Sequence, residues 1–332
     1  MIIEAPLDSQ ELQFAAMGTN VTVLISARAA GGITPAGRPA AIAAAAEARV
    51  HELEAMWSRF QYTSEVSELN RSAGSAVRVS PETIRLFERA IEGWRMTDGA
   101  FDPSVLSAVV GSGYDRDFIT IGPAPWAPTV ASASPGCSEI VVDPEAGLVQ
   151  LPFGVGFDPG GIGKGLAADI VAEEAMAAGA AGAMVNIGGD IRVLGRAPDG
   201  HPGWVLAVAA ELRTRLAFTE GAVATSTDQR RRWKVIDGAT EGERHHLIDP
   251  STGLPTTNVV RQVTVLAAAG WRAETVSKML YVQWRPDRVN ELNTKLSQLK
   301  ARALVVTSDE TGSVTHHHLG GIQDFIENDT QS

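Results

Sequence analysis

Apolar residues recur at helical spacing in the first third of the chain, where they predict two amphipathic helices. One of these helices is predicted from an apolar stripe that runs from Ile84 to Trp94. The stripe follows Ser80, which suits the cap of a helix, and Pro81, which suits its first turn. This helix is expected to end near Gly99. The first helix is predicted from residue 41, and its stripe consists of Ile42, Ala46, Val50, Leu53 and Trp57.

Short runs of β-branched and apolar residues predict strands elsewhere. A hairpin is predicted where residues 139–142 and 148–151 flank a turn, Asp-Pro-Glu-Ala-Gly. Strands and helices are mixed without regular alternation, which favours an α+β fold with mixed or antiparallel sheets and packed helices over a doubly wound sheet. Further strands are predicted at residues 21–26, 183–187, 191–195, 204–210 and 263–269, and further helices at 166–178 and 273–283.

Weakly patterned segments indicate where the main domain is interrupted. Residues 27–40, rich in Gly, Pro and Ala, and residues 111–138, polar and Pro-rich, are predicted to be surface loops or insertions. Residues 311–332 are predicted to form a polar, partly ordered C-terminal tail. A chain of 332 residues allows one large domain or two small ones, and the patterning favours one domain over residues 1–310.

Composition and charge narrow the class of protein. Hydrophobic residues make up 44% and charged residues 20% of the chain, as in ordinary globular proteins. The net charge of -11 repels nucleic acid and anionic lipid, and the basic run at 230–234 is too short to reverse this. The single cysteine, Cys137, excludes an intrachain disulfide and a cysteine metal cluster. Residues 1–13 carry no export signal or lipidation motif, so a cytoplasmic location is expected.

The most informative segment is residues 158–169, Asp-Pro-Gly-Gly-Ile-Gly-Lys-Gly-Leu-Ala-Ala-Asp. Four glycines among residues 160–165 let backbone N–H groups approach a ligand, and Lys164 stands at the start of a helix. This combination favours phosphate or carboxylate binding, with a tight turn without ligand as the alternative. Gly165 after Lys164 and Leu166 at the third glycine position exclude the common phosphate-loop and dinucleotide fingerprints.

Three other polar turns are candidates for chemistry, and each has a structural alternative. Asp102 precedes Pro103, which restrains its backbone for a ligand contact or for simple helix termination. The turn at 186–190, Asn-Ile-Gly-Gly-Asp, suits a hairpin or a ligand. His245 and His246 precede a turn and suit a general base, a phosphate contact or a structural role. The histidine run at 316–318 lies in the predicted tail and is a weak metal candidate.

In this order the segments at 98–104, 158–169, 186–190 and 246–253 resemble the ApbE-type flavin transferases, the FAD:protein FMN transferases. The resemblance runs from Ala16 to about Leu280. It implies a single, T-fold-like domain that binds FAD and, with Mg²⁺, cleaves its pyrophosphate. FMN then passes to a threonine hydroxyl of an acceptor protein, and AMP leaves. The rival functions are an FAD pyrophosphatase, in which water attacks, and a non-catalytic FAD-binding protein.

The resemblance also implies roles for individual residues. His246 matches the histidine that assists proton removal from the acceptor threonine. The metal ligands would be Ala167, through its backbone carbonyl, and Glu274. The residues implied to contact the cofactor are Met17, Phe60, Ala100, Phe101, Asp102, Lys164 and Asp249.

One helix departs from the family pattern, Ala-Asp-x-x-x-Thr, which supplies metal ligands one turn apart. Here Glu274 replaces the aspartate and Lys278 replaces the threonine, and an ammonium group cannot ligate a cation. In one explanation Lys278 replaces the metal by pairing with Glu274 and the FAD phosphates. In the other, Ser277 or Thr275 supplies the hydroxyl and Lys278 points away. Helical spacing favours the first, because residues 274 and 278 share a face, and predicts little or no Mg²⁺ requirement.

Overall fold

The computed structural model describes residues 9–26, 38–118, 121, 124–125, 132–198, 202–209, 214–237 and 240–327. Its helices are α1, Arg38–Trp57; α2, Glu65–Arg71; α3, Pro81–Met96; α4, Leu106–Gly111; α5, Gly163–Ala177; α6, Gly270–Gln283; and α7, Val289–Leu299. None of the helices in these ranges is both long enough and apolar enough to cross a membrane.

The strands of the first half are β1, Ser9–Ala16; β2, Thr19–Ser26; β3, Ala76–Arg78; β4, Ala124–Pro125; β5, Val141–Asp143; β6, Leu148–Gln150; β7, Gly182–Ile187; and β8, Asp190–Gly195. Those of the second half are β9, Trp204–Ala209; β10, Thr214–Phe218; β11, Gly221–Thr227; β12, Arg232–Asp237; β13, Thr240–His245; β14, Ile248–Asp249; β15, Leu254–Pro255; β16, Val260–Ala267; β17, Arg302–Ser308; and β18, Val314–Leu319.

An eight-stranded antiparallel sheet organises the fold, in the order β1-β2-β7-β8-β11-β16-β17-β18. Its two halves are built alike. In the first, α5 packs on β7 and β8 beside the β1–β2 hairpin; in the second, α6 packs on β11 and β16 beside the β17–β18 hairpin. Helices therefore cover one face of an antiparallel sheet, which confirms the α+β fold predicted from the sequence.

Helices α5 and α6 cross at a contact between two glycines. A Cβ atom on Gly165 would lie 2.4 Å from the carbonyl oxygen of Gly270, so neither helix tolerates a side chain there. Close by, the Asp169 carboxylate accepts hydrogen bonds from the amides of Gly270 at 2.7 Å and Trp271 at 3.0 Å. Asp169 thereby caps α6 from within α5. This crossing brings Lys164 and Glu274 face to face.

Apolar residues of the helices fill one side of the sheet, and a smaller cluster covers the other. On the helical side Val23, Val185 and Val265 are fully buried. The opposite side is covered by the β9–β10 hairpin and by the C-terminal segment, through Trp204, Leu206, Leu216, Phe218 and Ile322. The two-sided burial explains why β7 and β8 lack a strict alternation of polar and apolar residues.

Element boundaries differ from the sequence predictions in a regular way. Helices α1, α5 and α6 begin at Arg38, Gly163 and Gly270, each before the first residue of the predicted apolar stripe. Glycines and a proline open these helices, and such residues carry no periodic signal. The sequence reasoning also missed α2, α4, α7 and strands β1, β3, β4, β10–β15, β17 and β18. Several of these are short or lie at a sheet edge, whereas β11 and β17 are buried strands inside the main sheet.

The predicted C-terminal tail and the two predicted loops contain regular structure in part. Within 311–332, Val314–Leu319 form the edge strand β18, and Leu319 and Ile322 are buried. The segment looks polar because one side of an edge strand faces solvent. Residues 328–332, 27–37 of the first predicted loop, and 119–120, 122–123 and 126–131 of the second lie outside the described residues.

Candidate functional site

A cleft opens beside the N-terminus of α5, where several of the motif segments meet. Its walls come from the β1–β2 turn, the end of α1, the turns at 100–105 and 158–161, residues 246–248 and 250, and one face of α6. Counted out to open solvent, the cleft contains about 1340 Å³ of space. Because this volume extends into open solvent, it describes an open cleft and sets no limit on the size of the ligand.

The residues implied to contact the flavin lie together on one side of this cleft. Met17 lines it with a left-handed backbone, φ 51°, which is held by a hydrogen bond from its amide to Glu54 Oε1 at 2.7 Å. Phe60 also lines the cleft and is 39% exposed, whereas Ala100 and Phe101 are buried in the turn after α3. The structure thus assembles four of the predicted contacts from three distant segments.

Asp102 lines the cleft, but its carboxylate serves the turn in which it lies. Its Oδ1 accepts hydrogen bonds from the Ser104 amide at 2.8 Å and the Ser104 hydroxyl at 2.6 Å. Burial raises the pKa of Asp102 above its usual value, against the lowering effect of these hydrogen bonds. The side chain therefore shapes the loop that holds Ala100 and Phe101.

Sequence reasoning missed an aromatic and cationic wall next to Phe60. The Arg59 guanidinium lies 4.2 Å from the ring centroid of Phe60 and 4.6 Å from that of Tyr114. It also pairs with Asp158 at 3.5 Å. Tyr114 belongs to the segment predicted to be a surface loop, and no periodicity in that segment marks it. A planar, preordered wall of this kind suits the stacking of an aromatic ring.

A buried ion network lies at the end of the cleft where α5 and α6 cross. Lys164 Nζ contacts a carboxylate oxygen of Asp190 and lies 2.7 Å from Glu274 Oε1. The other oxygen of Glu274 accepts the Gly165 amide at 2.8 Å, and Glu274 is fully buried. Burial acts to lower the pKa of Lys164, but Asp190 and Glu274 raise it above the usual value. Burial would raise the pKa of Glu274, and Lys164 and Lys278 lower it.

Lys278 lies one turn beyond Glu274 and faces the cleft. Its Nζ is 3.7 Å from Glu274 Oε1, and its side chain is 15% exposed. The hydroxyl alternative disagrees with the structure, because both candidate side chains are fully buried and bonded within the protein. Ser277 donates to the Glu274 carbonyl and bonds Ser226 at 2.7 Å, whereas Thr275 donates to the Arg272 carbonyl at 3.1 Å.

The residues at this end of the cleft do not fit a Mg²⁺ ion. Among the described residues, no three His, Cys, Asp or Glu side chains are grouped so that they could bind a metal. Both oxygens of Glu274 already accept protein hydrogen bonds, and Ala167 is fully buried within α5. Mg²⁺ demands near-octahedral oxygen ligation, and two ammonium groups here would repel it. The expectation of metal binding through Ala167 and Glu274 therefore lacks support in the geometry.

His246 lines the cleft between two cations. It is half-buried, and its Nδ1 has no hydrogen-bond partner in the described part of the chain. Burial, followed by the nearby charges of Arg231 and Lys278, lowers the pKa of His246 well below its usual value. The imidazole is therefore neutral at pH 7 and can accept a proton. Arg231, which the sequence indicated only as part of the basic run at 230–234, donates to the Tyr114 hydroxyl at 3.3 Å.

Asp249 lies beside the cleft and does not line it. Its neighbours Ile248 and Pro250 do so, and the Asp249 Oδ1 accepts the Ser251 amide at 2.9 Å and the Ser251 hydroxyl at 2.6 Å. The carboxylate stabilises the turn that follows His246. A direct contact of Asp249 with the cofactor stays a prediction.

Comparison with known proteins was consistent with this site. The ApbE family model matches residues 17–303. The FAD:protein FMN transferase of Haemophilus influenzae is 29% identical over 250 residues, covering 71% of this chain and 70% of the relative. The FAD:protein FMN transferase of Treponema pallidum is 30% identical over 280 residues, covering 74% and 73%. The crystal structure of the ApbE protein of Thermotoga maritima superposes with a TM-score of 0.80 at 27% identity, covering 96% of this chain and 100% of that chain.

Proposed function

Because the chain belongs to the ApbE family, we propose that it is an FAD:protein FMN transferase. In this proposal the cleft binds FAD, and a threonine hydroxyl of an acceptor protein attacks the phosphorus of the FMN half. The new phosphoester bond forms as the pyrophosphate P–O bond breaks, and AMP leaves with the bonding electrons. The proton of the threonine hydroxyl goes to His246.

The observation that carries this proposal is the placement of His246 beside Arg231 and Lys278. A group transfer from a diphosphate needs cations that balance its charge and a neutral base that can take the hydroxyl proton. Burial and the same two cations keep His246 neutral. A bound diphosphate would offset these cations, so the pKa of His246 would rise when the substrate is in place and the base would become stronger.

The flavin end of the substrate would lie against Met17, Phe60 and Phe101, with Arg59 and Tyr114 behind them. This wall is held in place before binding, because Arg59 is fixed by Asp158 and by the Tyr114 carbonyl at 2.8 Å. A preordered wall lowers the entropy cost of positioning the ring. Positioning is most of what a phosphoryl-type transfer requires of the protein.

The proposal is tested by following covalent flavin and AMP in the same reaction. The purified chain is incubated with FAD and a threonine-containing protein fragment that a related transferase flavinylates. Fluorescent flavin that stays on the denatured fragment, with one AMP per flavin, is the expected result. FMN and AMP released without labelling would mark a pyrophosphatase. Bound FAD with no AMP would mark a binding protein, and either result would contradict the proposal.

A further inference from the structure

The charges where α5 meets α6 are already balanced by the protein itself. In their ionised forms Asp190 and Glu274 carry two negative charges and Lys164 and Lys278 carry two positive ones, so the formal charges of the four side chains sum to zero. Adding a divalent cation would leave the cluster with two surplus positive charges in a buried place. The network therefore has no electrostatic need of a metal ion.

The two lysines differ in how far their N–H donors are already used within the protein. Lys164 directs its ammonium group at Asp190 and Glu274, with which it makes short contacts. Lys278 lies 3.7 Å from Glu274, beyond hydrogen-bonding distance, and makes no hydrogen bond within the described ranges. Lys278 lines the cleft beside Gly161, where a Cβ atom would lie 3.8 Å from Lys278 Cε, and its ammonium group carries three N–H donors. Lys278 is thus the ammonium group that remains available.

From these observations we propose that Lys278 and Arg231 bind the diphosphate of the substrate directly, and that the transfer proceeds without a divalent cation. The identification of that diphosphate as FAD rests on the proposed function. Lys278 comes from α6 and Arg231 from the segment between β11 and β12, and both line the cleft. Both are close enough to His246 to lower its pKa, so the three side chains surround one place.

Lysine and arginine suit this task for different reasons. Arginine presents a rigid fork of donors that matches two phosphate oxygens, whereas lysine acts as a compact point charge. Two such cations match the two negative charges of a dinucleotide diphosphate. The backbone of Gly161 and Gly163, at the start of α5, lies in the same wall and approaches the ligand without side-chain interference, whereas the Gly160 amide already donates to Asp158 Oδ1 at 2.8 Å.

The first experiment compares FAD binding and AMP release in a chelator with both quantities in millimolar Mg²⁺. We expect the FAD affinity, measured by flavin fluorescence, and the rate of AMP release to agree within about twofold between the two conditions. Titration of Mg²⁺ into the protein, with and without FAD, should give no binding heat in a calorimeter. A calorimetric Mg²⁺ site, or loss of FAD binding in chelator with recovery on adding Mg²⁺, would overturn the proposal.

Variants then test the residue that replaces the metal. Lys278→Met keeps the length of the side chain and removes its charge, and it should weaken FAD binding roughly 10- to 100-fold, with no recovery in Mg²⁺. Lys278→Arg should retain most of the affinity. Lys300→Met, an exposed lysine at the end of α7, is the matched control and should bind FAD as the unmodified chain does. Unchanged affinity in a folded Lys278→Met protein would refute the assignment.

The outcomes separate this inference from the proposed function. FAD binding that depends on Lys278 and ignores Mg²⁺, without labelling of any acceptor, would refute the transferase and leave the metal-free diphosphate site standing. Acceptor labelling that requires Mg²⁺ would confirm the transferase and refute the metal-free site.

Discussion

The pKa of a side chain in the cleft depends on neighbours that are distant in sequence and close in the fold. His246 is half-buried beside Arg231 and Lys278, and the desolvation and repulsion it experiences keep its imidazole neutral. His245, the preceding residue, donates from Nε2 to the Thr256 carbonyl at 2.8 Å and does not line the cleft. The two adjacent histidines therefore have different surroundings, which supports a chemical role for His246 alone.

Replacing His246 should affect the chemical step and spare the binding of FAD. His246→Gln removes the proton acceptor, and the rate of acceptor labelling should fall roughly 10²- to 10⁴-fold. FAD affinity, measured by fluorescence quenching, should change much less. His245→Gln is the matched control, and its labelling rate should stay within severalfold. Equal loss of rate in both variants would mean that His246 acts through structure alone.

The low pKa of His246 also makes stability depend on pH. In the unfolded chain a histidine titrates near pH 6.5, whereas folded His246 titrates well below this value. Between these two values the unfolded state binds more protons, so stability falls as pH drops below about 6.5. Denaturant unfolding should show that the free energy of unfolding falls less between pH 7.5 and pH 5.5 for His246→Gln than for the unmodified chain. The pKa values of His245 and His317 are also lowered, so the stability of the His246→Gln variant still falls somewhat as the pH drops.

At the scale of elements, the crossing of α5 and α6 sets the geometry of the ion network. Gly165 lies against the backbone of Gly270, so the helices approach more closely than side chains would permit. Lys164 precedes this contact by one residue, and Glu274 follows it by one turn of α6. The spacing between Lys164 and Glu274 is therefore a consequence of helix packing.

A methyl group at the crossing should separate the two helices. Gly165→Ala places a Cβ 2.4 Å from the Gly270 carbonyl oxygen, and the repacking should cost about 1–3 kcal/mol of unfolding free energy. Gly163→Ala, in the same helix, meets Pro159 Cβ at 3.5 Å and Trp57 Cε3 at 4.0 Å, which are ordinary contact distances, and should be close to neutral in stability. Chemical denaturation of both variants makes the comparison. Equal stability of the two would show that the crossing adapts to a side chain.

The cap of α6 should be as important as its packing. Asp169→Ala leaves the amides of Gly270 and Trp271 without their acceptor and removes one of the two carboxylates beside Arg192, at 3.4 Å, while Glu220 remains at 3.5 Å. A loss of about 3 kcal/mol is expected, because two buried donors lose their acceptor and the buried Arg192 loses the nearer of its two carboxylates. Thermal and denaturant unfolding measure it. A loss below about 1 kcal/mol would indicate that water replaces the carboxylate.

At the scale of the whole molecule, the cleft brings charges of both signs together on an acidic protein. The net charge is -11, and the cleft is lined by four cations, Arg59, Lys164, Arg231 and Lys278, and by four carboxylates, Glu54, Asp102, Asp117 and Asp158. The two halves of the sheet meet between β8 and β11, and each contributes a helix to the end of this cleft. At this end Arg231 and Lys278 supply the local positive charge with which an acidic protein can bind an anionic dinucleotide.

Much of this protein could be predicted from its sequence because its signals are local. The α+β class, helices α1 and α3, the β5–β6 and β7–β8 hairpins and the membership of the ApbE family were all confirmed. Periodicity indicates the buried face of an element, and clustered glycines indicate turns with backbone conformations that other residues rarely adopt. Polar edge strands such as β18 carry no such signal, and the sequence reasoning therefore placed them in a tail.

Only the tertiary structure decided which residues from distant parts of the chain contact each other. Lys164 meets Asp190 and Glu274, which lie 26 and 110 residues away along the chain, and no local pattern announces such pairs. The wall of Arg59 and Tyr114 and the placement of Arg231 also join segments that are distant in sequence. The sequence by itself determined the family, the α+β class, part of the helices and strands, and the presence of Lys278 where the family pattern has threonine. Packing decided that this lysine faces the cleft, because the orientation of α6 depends on the glycine contact with α5.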